Sequence, residues 1–187
     1  MTDEERLEIL EREPITLVTY DPSWPMRYME SETLLERSMP PRLWTRIAHI
    51  GSTAVPGMSA KPIIDVQVEV ISLDRVRREV VPIMSDLGYE FIWRPTMGER
   101  APFYAWFIAR NAAGQRTTHI HMVEPDAASE DRIRFRDFLR AHPEDAERYK
   151  QLKLDLLAAH GHDRAAFTRG KTAFIASVLH RSRQNRP

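Results

Sequence analysis

The run from His49 to Val70 constrains this chain more than any other stretch. It reads as strand, small-residue loop, strand, with Gly51, Ser52, Thr53 and Gly57 in the loop. Small residues leave backbone N–H groups and hydroxyls free to face an anion. The strand that follows alternates apolar residues with Asp65, Gln67 and Glu69, and a period of two puts those three polar side chains on one face. A phosphate cradle followed by a carboxylate on the adjoining strand is what a metal–nucleotide site requires. The alternative is a connecting loop with ordinary turn residues. The loop is neither a Walker A motif nor a dinucleotide fingerprint, because the glycine and lysine spacing of both is missing.

Asp65 sits inside the apolar run Ile63-Ile64-Asp65-Val66. A carboxylate there is paired, hydrogen-bonded or metal-bound, or else the strand shows that face to water. Glu69 lies roughly 13 Å further along an extended strand, out of reach of the same ion, and Gln67 is a neutral, weak ligand. His119 and His121 are the best candidates to assist Asp65. They share one strand face roughly 7 Å apart, with Thr117, and two imidazoles at that spacing can hold a metal or divide the roles of base and phosphate ligand. An exposed polar sheet face is the other reading. His49 points at the loop region as a structural hydrogen-bonding group. Basic residues are dense after Ala127; Arg136, Lys153 and Lys171 could converge on phosphates, while most of the others read as a solvated helix face.

The remaining pattern predicts an α+β fold with a mixed sheet. Thr2 with Glu5 suggests a capping box for a first helix ending at Pro14. Ile15–Tyr20 reads as a strand, Asp21-Pro22-Ser23 as a turn into a helix to Ser38, and Pro40-Pro41 as its end. Strands are expected over Leu43–Ile50, Ile63–Ile71, Tyr89–Trp93, Pro102–Ala109 and Thr117–Val123. A helix from Ser72 to Leu87 closes on Gly88. The segment 94–100 reads as a polar loop. The short connections among the last three strands favour antiparallel pairing there. Helices follow from Ala127 to His142, Pro143 to His160 and Arg164 to His180, then a disordered tail, Arg181–Pro187. One domain over 1–187 is expected, with an α/β core at 15–125 and a helical part at 127–180.

Composition narrows the partners. Lys and Arg number 27 against 27 Asp and Glu, so no global charge argues for nucleic acid or an anionic membrane. The absence of cysteine excludes a thiolate metal site and a cysteine nucleophile, and is compatible with a cytoplasmic protein. The polar start Thr2–Arg6 is no signal peptide, and no apolar run approaches the roughly 20 residues of a membrane span.

Taken together, His49-Ile50-Gly51-Ser52-Thr53-Ala54-Val55-Pro56-Gly57 and Lys61-Pro62-Ile63-Ile64-Asp65 closely resemble the signature of the GrpB family, also called UPF0157. The resemblance continues through Asp21-Pro22-Ser23-Trp24, Leu87-Gly88-Tyr89, His119-Ile120-His121, Phe135–Arg140, Tyr149, Leu152-Lys153 and Lys171–Ile175, and so covers roughly 15 to 180. Phe167 stands where tyrosine is common. The resemblance implies a nucleotidyltransferase-like fold of the polymerase-β superfamily with a helical C-terminal region. In that superfamily a Gly-Ser loop holds the triphosphate and an Asp-x-Asp/Glu pair holds divalent metal. Gly51-Ser52 and Asp65, with twelve residues between Ser52 and Asp65, fit that spacing. Gln67 replaces the second carboxylate, and a histidine stands where a third acidic residue is expected.

The resemblance thus implies a transferase in which Gly51, Ser52, Thr53, Lys61, Arg136, Lys153 and Lys171 bind NTP phosphates. Asp65, His119 and His121 would be catalytic, and Asp65 with His121 would hold Mg²⁺ or Mn²⁺. The acceptor would be a small molecule or a protein. A degenerate nucleotide- or CoA-binding module is the alternative, since some relatives are fused to dephospho-CoA kinase. A histidine-dependent metallohydrolase using Asp65, His119 and His121 is the third reading.

Overall fold

Strand β2 (Ile64–Val70) organises the sheet, and its alternation explains why. Ile64, Val66, Val68 and Val70 are fully buried on one face, while Asp65, Gln67 and Glu69 occupy the other. Burying each such aliphatic side chain contributes about 1.5–3 kcal/mol.

The computed structural model describes residues 3–94 and 104–184. Before β2 come helices α1 (Asp3–Arg12) and α2 (Trp24–Ser38), strand β1 (Trp44–Ile50) and a 3₁₀ turn at Ser52–Ala54. After it come α3 (Leu73–Arg75), a π-helical stretch at Val76–Val80 and α4 (Val81–Asp86). Strands β3 (Glu90–Arg94), β4 (Tyr104–Arg110) and β5 (Arg116–Val123) follow. Helices α5 (Ala127–Ala141), α6 (Pro143–His160), α7 (Arg164–Arg169) and α8 (Thr172–Gln184) complete the chain. The strand order is β1-β2-β5-β4-β3. Only β2 and β5 run parallel; β1–β2, β3–β4 and β4–β5 are antiparallel. The fold is therefore α+β with a mixed five-stranded sheet, as the sequence pattern predicts.

One sheet face packs against Trp24 and Leu35 of α2 and against Val76, Val80 and Met84 of the π-helical stretch and α4. The opposite face carries the polar residues of β2 and β5. A second cluster joins Val55 and Met58, from the loop after Gly51, to Leu139 of α5 and Tyr149 of α6. The helices are thus tied directly to the loop. Asp126 starts α5 by accepting from the Ser129 amide at 2.7 Å, and Asp163 starts α7 by accepting from the Ala166 amide at 2.9 Å. Among the described residues no helix is long and apolar enough to cross a membrane.

Three expectations are corrected. Ile15–Tyr20 is not a strand. Val18 alone bridges Ala60, through bonds of 2.9 and 3.0 Å, because its neighbour is the irregular loop before β2 and offers no continuous ladder. The Arg164–His180 helix is two helices, α7 and α8, broken at Gly170-Lys171. Arg181 to Gln184 continue α8 and are not a disordered tail. Arg181 makes paired bonds of 2.9 Å to Asp145, and Arg183 reaches Asp131 at 2.5 Å. Thr2 of the capping box, the loop after Arg94, Pro102 and the last three residues lie outside the described residues.

Candidate functional site

Parallel pairing of β2 with β5 sets Asp65 opposite His119 and Gln67 opposite His121. Asp65 Oδ1 lies 3.2 Å from His119 Nδ1 and 3.3 Å from His121 Nε2. One donor atom from each residue falls within 4.8 Å of the others. Trp106 of β4 meets His119 edge-on at 4.9 Å and lies parallel to His121 at 6.2 Å, and Tyr104 sits 5.4 Å from His121. Burial by these rings pushes the His121 imidazole down to about 4 and lowers His119, against the opposing pull of Asp65. Burial alone would raise the Asp65 carboxyl, but the two histidines outweigh it and hold it well below the usual carboxylate range. Neutral imidazoles beside an ionised carboxylate are the protonation states a metal ligand set requires. His119 Nε2 and His121 Nδ1 are buried without a hydrogen-bond partner among the described residues. Two imidazole nitrogens and one carboxylate oxygen suit Mn²⁺, Fe²⁺ or Zn²⁺; Mg²⁺ favours a set of oxygen ligands.

The loop is fastened beside this cluster. Gly51 has φ +73°, and a Cβ there would stand 2.8 Å from Asp65 Oδ2, so glycine is required twice over. The Ser52 hydroxyl accepts from Lys153 Nζ at 3.0 Å, and the same ammonium donates to the Ser59 carbonyl. Lys153 is 3% exposed. Lys61 and Lys171 stand over the Phe167 ring, at 5.5 and 4.8 Å. Among the described residues none of these three lysines has an ion-pair partner. Burial, then repulsion from neighbouring cations, pushes Lys61 and Lys153 down to about 7; burial also lowers Lys171. Asp65 attracts Lys61 and Lys171 from beyond ion-pair distance, and three buried, mutually repelling ammonium groups without a direct ion pair favour anion binding.

The GrpB protein family model matches residues 14–181. The chain belongs to the GrpB family. It is 36% identical over 181 residues to a UPF0157 protein of Pseudomonas aeruginosa, covering 96% of this chain and 69% of that one. It shares 37% identity with a dephospho-CoA kinase of Mycolicibacterium paratuberculosis over 81 residues, 42% of this chain and 19% of the kinase. Its fold is similar to the crystal structure of a conserved GrpB protein from Enterococcus faecalis, with a TM-score of 0.74 and 28% identity, covering 90% of this chain and 98% of that chain.

In this GrpB-family chain the other sequence-predicted residues are distributed unevenly. Thr53 is 2% exposed; its hydroxyl donates to the Ile63 carbonyl at 3.3 Å and lies 2.9 Å from His49 Nε2, so it braces the loop. Arg136 stands apart from the lysines. It donates to the His49 carbonyl at 2.8 Å, pairs with Asp137 at 2.7 Å, and lines a separate cleft of about 600 Å³ with Tyr28 and Arg140. His49 stacks on Tyr28 at 4.7 Å, and burial pushes it down to about 4. Gln67 is 1% exposed. It donates to the Ser129 carbonyl at 3.1 Å and accepts from Arg132 at 3.3 Å, tying β2 to α5. Glu69 pairs with Arg46. Sequence reasoning missed Trp106 and Tyr104, although their period-two spacing in an otherwise apolar strand places both on the histidine face.

Proposed function

We propose that this GrpB-family chain is a nucleotidyltransferase-like enzyme that binds an NTP at a single divalent metal ion and transfers the nucleotidyl group to a hydroxyl or amine acceptor. The observation that carries this reading is the meeting of Asp65, His119 and His121 beside a glycine-braced loop and three unpaired lysines. Asp65, His119 and His121 would hold the ion, whose chemistry when bound is Lewis-acid neutralisation of phosphoryl charge. Lys61, Lys153 and Lys171 hold the β- and γ-phosphates and so stabilise the leaving pyrophosphate. Ser52, whose oxygen already accepts from Lys153, keeps its own proton free to donate to a phosphate oxygen. Trp106 and Tyr104 exclude water from behind the histidines. In the transfer the acceptor oxygen or nitrogen bonds to the α-phosphorus as the bond between the α-phosphorus and the β-phosphate oxygen breaks; the electron pair of the broken bond leaves with pyrophosphate and the acceptor's proton passes to water. The nucleotidyltransferase-like fold assignment rests on the loop-and-carboxylate resemblance and is an analogy at the level of fold.

Full-length protein incubated with Mn²⁺ and ATP should release pyrophosphate, and Asp65→Asn should reduce release at least about 100-fold, as loss of a ligand exceeds a supporting-residue effect. Unchanged release in the variant would overturn the site.

A second reading, a binding module without transfer, is favoured by Gln67. Its amide is committed to Ser129 and Arg132, so a second acidic ligand is replaced by a structural link. The partial likeness to a dephospho-CoA kinase extends the ligand of such a module to CoA-type nucleotides. ATP or CoA binding by calorimetry without pyrophosphate release would establish this reading.

A further inference from the structure

Phosphoryl-type transfer is helped by positive charge on both sides of the reacting phosphorus, because attacking and leaving oxygens lie on opposite faces of an in-line displacement. The strand register gives the Asp65 cluster two ends, Asp65 with His119 at one and Gln67 with His121 at the other. Burial is the main cause of both lowered imidazoles; a smaller push comes from Lys61 at His119 and from Arg132 at His121. Lys61 and Arg132 thus bracket the cluster. Arg132, on α5, donates to Gln67 Oε1 at 3.3 Å. Its guanidinium lies 5.7 Å from the Tyr104 ring, which is 5.4 Å from His121. Arg132 is partly exposed and forms no ion pair among the described residues. The carboxylates around it are committed elsewhere: Asp65 to the two histidines, Glu69 and Glu130 to Arg46, and Asp131 to Arg134 and Arg183. A glutamate at position 67 would pair with Arg132 and cancel its charge. Glutamine orients the guanidinium through a neutral oxygen and leaves that charge for a ligand.

We propose that Arg132, oriented by Gln67, is a catalytic residue that binds a non-bridging oxygen of the α-phosphoryl group and supplies the charge a second metal ion would otherwise supply. The proposal rests on the transfer reading. As the acceptor bonds to the α-phosphorus, the electron pair of the broken bond leaves with pyrophosphate and the acceptor's proton passes to water. Arg132 keeps its protons throughout.

Calorimetry on the full chain separates the two ends of the site. One ligand is α,β-methylene-ATP, which cannot be cleaved at the α–β bridge; the other is inorganic pyrophosphate, which has no α-phosphate. Pyrophosphate release from ATP with Mn²⁺ gives kcat. Arg132→Met should weaken the analogue about tenfold and lower kcat at least about 100-fold, with pyrophosphate and Mn²⁺ affinities held within about twofold. Arg132→Lys should restore part of each loss. Equal weakening of pyrophosphate and the analogue would make Arg132 a structural support and overturn the proposal. Unchanged analogue affinity and kcat, with wild-type release intact, overturn it and leave the transfer reading standing. Weakened analogue binding where the wild type releases no pyrophosphate overturns the transfer reading and the catalytic role, and leaves the α-phosphate contact. No analogue binding by the wild type overturns both.

Discussion

Gly51 is where the loop and the carboxylate constrain each other. Its positive φ and the 2.8 Å approach of a Cβ to Asp65 Oδ2 leave no space for alanine. Gly51→Ala should therefore destabilise the fold by about 1 kcal/mol or more, read by urea unfolding, and should weaken divalent-metal binding by displacing Asp65. Much of this was legible at residue level. Asp65 within Ile63-Ile64 demands a partner because an unpaired buried carboxylate is costly. The His119/His121 spacing names that partner. What could not be read was the orientation of cations on helices. Arg136 and Lys153 are equally plausible phosphate ligands in the sequence, yet one braces His49 and the other reaches Ser52. Gln67 read as a weakened ligand, whereas its burial and its bonds to α5 make it a structural link.

The elements show where period and topology part. The β3–β4–β5 meander follows from short connections, and α5 and α6 follow from helical periodicity and the Pro143 start, whereas the break that separates α7 from α8 was not read. The parallel β2–β5 pairing, which creates the site, joins residues 54 apart and has no local signal. Ile15–Tyr20 has strand composition but lacks a partner ladder, and tertiary context overrides propensity there. Helix α6 packs Tyr149 against Val55 and Met58 of the loop and reaches its polar side through Lys153. Lys153→Met should lower affinity for inorganic phosphate at the Ser52 loop about tenfold or more, measured by calorimetry. Stability should change by no more than about 1 kcal/mol, because the lost bonds to Ser52 and Ser59 are offset by removal of a buried, repelled charge.

Across the whole molecule the balance of 27 basic and 27 acidic residues hides a local segregation of charge. Lys61 and Lys153 have folded values of about 7 against 10.5 when exposed. Between those values the unfolded chain binds protons that the folded chain does not, so these groups make stability rise as pH increases from about 7 to 10.5. A bound phosphate reverses the preference and recharges the lysines. Calorimetry near pH 8.5 in buffers of different ionisation enthalpy should then report proton uptake on phosphate binding; proton release would place the anion elsewhere. The metal centre remains the central claim, and pulsed electron paramagnetic resonance of Mn²⁺ added to the full chain addresses it most directly. One ion per chain is expected, with nitrogen couplings from two imidazoles that diminish in His119→Ala and His121→Ala and with binding lost in Asp65→Asn. A Mn²⁺ signal without nitrogen coupling, or one unchanged by Asp65→Asn, would contradict it.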